Sequence, residues 1–119
     1  MIRAIGIGCT TRATLEDLLD LIEQTIGERG ADAVIATLDR RATMAHAVAR
    51  SLGRRVALFS AARLARVSGT TVFSRAADEA TGTGSVAEAA ALAASGPTAR
   101  LVVSRTSGRG CTCAFAESP

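Results

Sequence analysis

Short apolar runs alternate along this chain with stretches whose apolar residues recur at helical spacing, and that alternation constrains the fold most. Ile2 to Gly8 is a buried first strand ending in glycines. The polar loop Cys9-Thr10-Thr11-Arg12-Ala13 follows, and Thr14 caps the next helix with Asp17 at the reciprocal position. Leu15, Leu18, Leu19, Ile22 and Ile26 then make one apolar stripe, while Glu16, Asp17, Asp20 and Glu23 lie on or near the other face. Gly27 and Gly30 end that helix. Ala33 to Leu38 is the second strand, with Asp39 at its carboxyl end, and Thr43 to Leu52 is a helix closed by Gly53. Val56 to Phe59 is the third strand, and Ser60 caps a short helix reaching about Arg66. Val67 to Ala80 carries little pattern: Ser68-Gly69-Thr70-Thr71 reads as loop and Arg75 to Ala80 as a helical turn.

The stretch from Thr81 to Leu92 is a glycine-punctuated loop running straight into a helix that extends to about Ala94. Ser85 is the N-cap and Glu88, three residues on, is its capping-box partner. Gly82 and Gly84 let the backbone take positive φ and let a ligand approach without a Cβ in the way. Free N–H groups, the positive end of the helix dipole and the hydroxyls of Thr83 and Ser85 then suit a phosphate or a carboxylate. The simpler reading is an ordinary capped helix start. The alanines from Ala87 to Ala91 make a narrow helix that can lie close on a sheet. Gly96-Pro97 stops it, and Leu101-Val102-Val103 is a fourth strand. Ser107-Gly108-Arg109-Gly110 turns the chain into a fifth, Cys111 to Ala116, so the last two form an antiparallel hairpin.

This order predicts one α/β domain over residues 1–119. The expected architecture is a three-layer sandwich, a mixed sheet of about five strands, mainly parallel, with a C-terminal antiparallel hairpin. Ligands of such sheets gather at the carboxyl ends of strands. That edge should collect the Gly8–Thr14 loop, Asp39 and Ser60. Whether the Gly82–Ser85 loop joins them depends on where the fourth strand sits.

Composition removes several functions. Apolar residues are 48%, yet there are three Phe and no Trp or Tyr, so the core is aliphatic and stacking on bases is nearly excluded. All fourteen basic residues are Arg, against eleven acidic ones. The absence of Lys fits either bidentate carboxylate recognition or biased codon usage. These charges are dispersed, which argues against a nucleic-acid surface. No apolar run approaches a membrane span and the N-terminus lacks a signal-peptide pattern, so a cytoplasmic protein without membrane partners is expected. The three cysteines, Cys9, Cys111 and Cys113, are an odd count and argue against a disulfide framework. Cys111 and Cys113 share a strand face as small apolar residues. With His46 the single histidine, no metal site is expected.

The Gly6-Ile7-Gly8-Cys9 strand end followed by Thr14, then Thr37-Leu38-Asp39, then Gly82-Thr83-Gly84-Ser85-Val86-Ala87-Glu88-Ala89-Ala90, resembles a cobalamin-biosynthesis family. That family comprises CobE and the C-terminal domain of CbiG, and its closing hairpin is similar to Leu101–Val103 and Thr112–Ala116 here. The match spans nearly the whole chain, which, beginning at the Gly-x-Gly-Cys strand, is similar to the stand-alone members. The family usually has Gly where Ala13 stands, acidic residues where Arg40-Arg41-Ala42-Thr43 follows Asp39, and Lys where Arg105 stands.

The resemblance implies a protein of corrin construction that binds a precorrin or corrin intermediate through its peripheral carboxylates and needs no cofactor. Gly6, Gly8, Cys9, Thr11, Arg12, Thr14, Gly82, Thr83, Gly84, Ser85, Glu88 and Arg105 are the implied binding residues. Thr11, Thr83 and Ser85 would donate to carboxylates, and Arg12 or Arg105 would pair with them. Other enzymes of the pathway are implied partners, and a homodimer stays open. The alternative is a hydrolase, or a subunit of one, that opens a ring-A lactone as the CbiG members do. Asp39 would then be the base, and the Gly84 and Ser85 amides the oxyanion donors. An Asp after a strand is also a common turn former. Cys9 is either a nucleophile whose pKa falls at a helix N-terminus or a packed loop cysteine. A nucleotide-binding module rests on fold analogy alone. Gly6-Ile7-Gly8 lacks the third glycine of the dinucleotide fingerprint, with Thr11 in its place, and neither Asp32 nor Asp39 is clearly the ribose acid.

Overall fold

A computed structural model describes residues 1–68 and 85–119. Five strands make one sheet in the order β3-β2-β1-β5-β4. They are β1 (Ile2–Cys9), β2 (Val34–Leu38), β3 (Val56–Phe59), β4 (Arg100–Ser107) and β5 (Cys111–Ser118). β1, β2 and β3 are parallel neighbours, while β5 runs antiparallel to both β1 and β4. This is the expected α/β sandwich, with the hairpin turned so that β5, not β4, meets β1.

Helices α1 (Leu15–Thr25) and α2 (Ala42–Leu52) cover one face. Their core joins Leu18, Ile22, Ile26, Ala45 and Val48 to Ile5 and Ile7 of β1, Ile35 of β2 and Phe115 of β5. Helices α3 (Ala61–Leu64) and α4 (Val86–Ser95) cover the other, where Ala89 and Ala90 meet Ala36, Leu38 and Leu64. Handedness explains the split. The chain winds from β1 to β3 in one direction and then crosses back past β1 to β4. A right-handed crossover in the reverse direction places its helix on the opposite face.

α1 begins as the sequence predicts. Thr14 Oγ1 accepts from Asp17 N at 3.1 Å, and Asp17 Oδ2 accepts from Thr14 N at 3.0 Å. These bonds hold the Asp17 carboxyl below its ordinary pKa. Several boundaries move. α2 starts at Ala42, because Asp39–Arg41 forms a 3-10 turn straight off β2 and Ala42 N bonds to Asp39 O. β4 and β5 each extend beyond the predicted ends, because ladder pairing carries polar Thr106, Ser107, Glu117 and Ser118 as well as the apolar centre.

α4 packs with its backbone close against β1. Ala4, Gly6 and Gly8 point towards the helix and present almost no side chain. A Cβ built at Gly6 would lie 1.8 Å from the Ala87 carbonyl oxygen and 2.8 Å from Ala91 N. Gly6 thus serves the approach of a helix backbone to the sheet.

Candidate functional site

A right-handed crossover delivers the start of α4 to the carboxyl edge of the sheet, beside the ends of β1 and β4. Gly8, Cys9 and Thr10 from β1, Ser85 and Val86 from α4, Arg105 and Ser107 from β4, and Thr112 from β5 line a cleft of about 350 Å³ there. The hairpin closes one side, with Thr10 N donating to Gly110 O at 2.9 Å. Cys9 and Thr10 also form a wall of a second cleft of about 280 Å³, lined further by Thr11, Arg40, Arg41 and Met44. Among the described residues, both linings contain arginine and no Asp or Glu. The Cys9–Thr10 ridge between them is braced by Arg41, whose Nε donates to Cys9 O at 3.0 Å. Thr37, fully buried, donates through Oγ1 to Ile7 O at 2.6 Å, holding the last turn of β1 to β2.

Ser85 caps α4 as predicted, with its Oγ accepting from Glu88 N at 3.2 Å. The Glu88 carboxylate does something the capping-box reading does not foresee. It is fully buried and accepts from Arg105 N at 2.7 Å. The reason lies in β4, whose register on β5 slips between Val103 and Thr106. Ser104 and Arg105 there oppose Ala114 alone, a bulge that takes a backbone N–H out of the ladder. Glu88 supplies its acceptor, so α4 is tied to the strand segment that carries Arg105 into the cleft.

The remaining predicted residues are spread along the same edge. Gly8, Cys9, Ser85 and Arg105 come together in the first cleft, and Thr11 lines the second. Gly6 lies beneath α4, and Glu88 stands behind the cleft wall. Arg12 and Thr14 are exposed on the loop ahead of α1 and line neither cleft. Asp39 is exposed in its 3-10 turn and lines neither, and Ser60 caps α3 by accepting from Arg63 N at 3.1 Å. Gly82, Thr83 and Gly84 lie outside the described residues, as does the predicted turn at Arg75–Ala80. Asp32 belongs to the opposite edge, paired with Arg3 at 3.1 Å, which holds its carboxyl below the ordinary range. Among the described residues, no three His, Cys, Asp or Glu side chains cluster closely enough to hold a metal ion, and no helix is long and apolar enough to cross a membrane.

The family model described as "Cobalamin synthesis G C-terminus" matches residues 3–116. The crystal structure of CobE, a protein from the cobalamin (vitamin B12) biosynthetic pathway, is 32% identical, with a TM-score of 0.85 over 99% of this chain and 91% of that one. This chain belongs to the CobE and CbiG C-terminal family of cobalamin biosynthesis. The family member chiG from Agrobacterium tumefaciens is 27% identical, with a TM-score of 0.69 over 98% of each chain. A putative cobalamin biosynthesis protein G homolog from Sulfolobus solfataricus shares the fold, at 21% identity and a TM-score of 0.71, over 98% of this chain and 36% of that one. No curated protein sequence matches the chain.

In this family member the sequence reading passed over Thr10, Ser107, Gly108, Gly110 and Thr112 as site residues. The hairpin residues reach the cleft because β5 pairs with β1 along its whole length, from Ile2 opposite Ser118 to Cys9 opposite Cys111. The glycines at the turn were a signal for a hairpin, but nothing local said which strand it would join.

Of the two readings of Cys9, its surroundings fit the packed cysteine. Cys9 ends β1 rather than starting a helix, and burial raises its pKa, with the nearby Arg41 charge opposing. Burial also raises Cys111 and Cys113. A raised thiol pKa means the folded state favours the neutral form. Its contribution is fully present below the ordinary value near 9.0 and is lost as pH climbs through the folded pKa. The chain has no Lys or Tyr, so thiols are the side chains that titrate in that window. Urea midpoints should therefore be level from pH 7 to 8 and fall steadily above pH 9. A midpoint that holds through about pH 10.5 would show that the three thiols are not buried as described.

Proposed function

We propose that this protein binds a precorrin or corrin intermediate by its peripheral carboxylates at the carboxyl edge of the sheet. The observation that supports this reading is the charge and chemistry of the two adjoining clefts. Together they offer Arg105, Arg40 and Arg41, the hydroxyls of Thr10, Thr11, Ser107 and Thr112, and the capped start of α4 at Ser85, with no acidic side chain among the described lining residues. A macrocycle carrying acetate and propionate arms needs such a spread of donors rather than one deep pocket. Gly82, Thr83 and Gly84 precede Ser85 directly in sequence and belong to the same reading. Membership of a cobalamin-biosynthesis family supplies the ligand class. The hydrolase alternative has no comparable support, since Asp39 faces neither cleft.

Titration with a cobalt-free corrin carboxylic acid, followed by its visible spectrum, tests the reading. A saturable shift at micromolar ligand is the expected result. Arg105→Ala should weaken binding about tenfold, the loss of one charge-assisted hydrogen bond of roughly 1.5 kcal/mol. Its melting temperature should stay near that of the wild type, because Glu88 holds the backbone N–H and not the guanidinium. Absence of a shift, or equal affinity in Arg105→Ala, would count against this cleft.

A further inference from the structure

The geometry points to Cys9 and Cys111 as a reversible disulfide pair at the cleft wall, formed by exchange with a small-molecule disulfide. The two residues are direct partners in the antiparallel β1–β5 ladder. Hydrogen-bond directions identify the kind of partner. Thr10 N bonds to Gly110 O, one residue beyond the pair on each strand. Cys9 O is turned away to Arg41 Nε, and Cys111 O is turned away to Gly108 N at 2.8 Å. This is the non-hydrogen-bonded type of pair, in which the Cα atoms are about 4.5 Å apart and the side chains stand closest on one face. Disulfides bridge Cα separations of about 4.4–6.8 Å, a range that includes the spacing of such a pair.

The third cysteine is placed differently. Cys113 opposes Ile7, is fully buried, and its Sγ lies 3.1 Å from Thr25 Oγ1. Cys9 is the half-exposed thiol and lines both clefts, whereas Cys111 is buried and touches the first cleft alone. The roles follow from access. Cys9, as thiolate, attacks one sulfur of a disulfide such as oxidised glutathione, forming a mixed disulfide and expelling one thiolate. Cys111 then loses its proton to solvent and attacks the Cys9 sulfur, forming the Cys9–Cys111 bond and expelling the second thiolate. The protein loses two hydrogens, the small disulfide gains two as thiols, and an excess of dithiol reverses both steps. No corrin ligand enters this inference, so it stands or falls separately from the binding reading.

The reduced protein is incubated with excess oxidised glutathione, its free thiols are alkylated, and its peptides are mapped by mass. The expected result is two of the three thiols protected, a cross-link joining Cys9 to Cys111, and full recovery of alkylation after dithiothreitol. Cys113→Ala should form the same bridge. Three thiols still alkylated, glutathione retained on Cys9, or a bridge that includes Cys113 would each overturn the assignment.

Discussion

Gly6→Ala should unfold this protein at a markedly lower temperature than any other single-methyl addition to the sheet. The added carbon would sit 1.8 Å from a helix carbonyl oxygen and 2.8 Å from both Ala87 C and Ala91 N, all backbone atoms that no rotamer change can move. α4 must lift from β1, and the alanine layer between them opens. Overpacking in a tight core costs about 1–3 kcal/mol, and a backbone obstruction belongs at or above the upper end. For a chain of this size, about 3 kcal/mol is a fall in Tm of roughly 10 °C or more. Gly8→Ala is the control. Its Cβ would meet the Thr112 hydroxyl at 2.8 Å, a side chain that can turn aside, and Val86 and Ala87 at ordinary contact distance, so a cost under about 1 kcal/mol is expected. Equal melting of the two variants would mean that α4 does not rest on β1 at this distance.

The second large effect should come from Glu88. Its carboxylate is fully buried and, among its contacts, accepts from the Arg105 N–H that the β4 bulge removes from the ladder. Glu88→Ala leaves that part-buried donor without this acceptor and hollows the space between α4 and β4. An unsatisfied buried donor costs about 1–3 kcal/mol, and the lost volume adds to it. A total near 3 kcal/mol is expected from urea denaturation. Glu88→Gln keeps an acceptor oxygen and the volume, so it should recover more than half of the loss. The variant also reaches the site, since the bond sets where β4 carries Arg105. Glu88→Ala, measured where it is still folded, should bind the corrin acid more weakly than Glu88→Gln. Equal stability of the two substitutions would show that the acceptor is not what Glu88 contributes.

Gly6 and Glu88 also mark the border of what local pattern reveals. Both stand in the stretches that carry the family resemblance, and both read there as ligand-binding residues. Gly6 looks like a place for close approach, and it is one, but the approaching backbone is α4. Glu88 looks like the return half of a capping box, as Asp17 is for Thr14, yet its side chain reaches to a strand 17 residues further on. Spacing along the chain cannot distinguish these cases, because the competing partner is distant in sequence. Cys9 repeats the point: reading it as a helix-start thiol puts its pKa down, while partial burial at the end of β1 puts it up.

Element types, the α/β class, the first helix with its cap, the start of α4 at Ser85 and the turn before β5 follow from the sequence by itself. Each rests on periodicity or capping within about a dozen residues. The tertiary structure alone decided that β5 enters between β1 and β4. That insertion places Thr112 and Gly110 beside Gly8 and Thr10, sets Cys9 opposite Cys111, and leaves Arg105 on a bulge whose N–H needs Glu88. Strand order is governed by the burial of both faces of β5, where Cys113, Ala114, Phe115 and Ala116 all lie against helices or neighbouring strands. That free energy belongs to the assembled sheet, so no short stretch of the chain contains it.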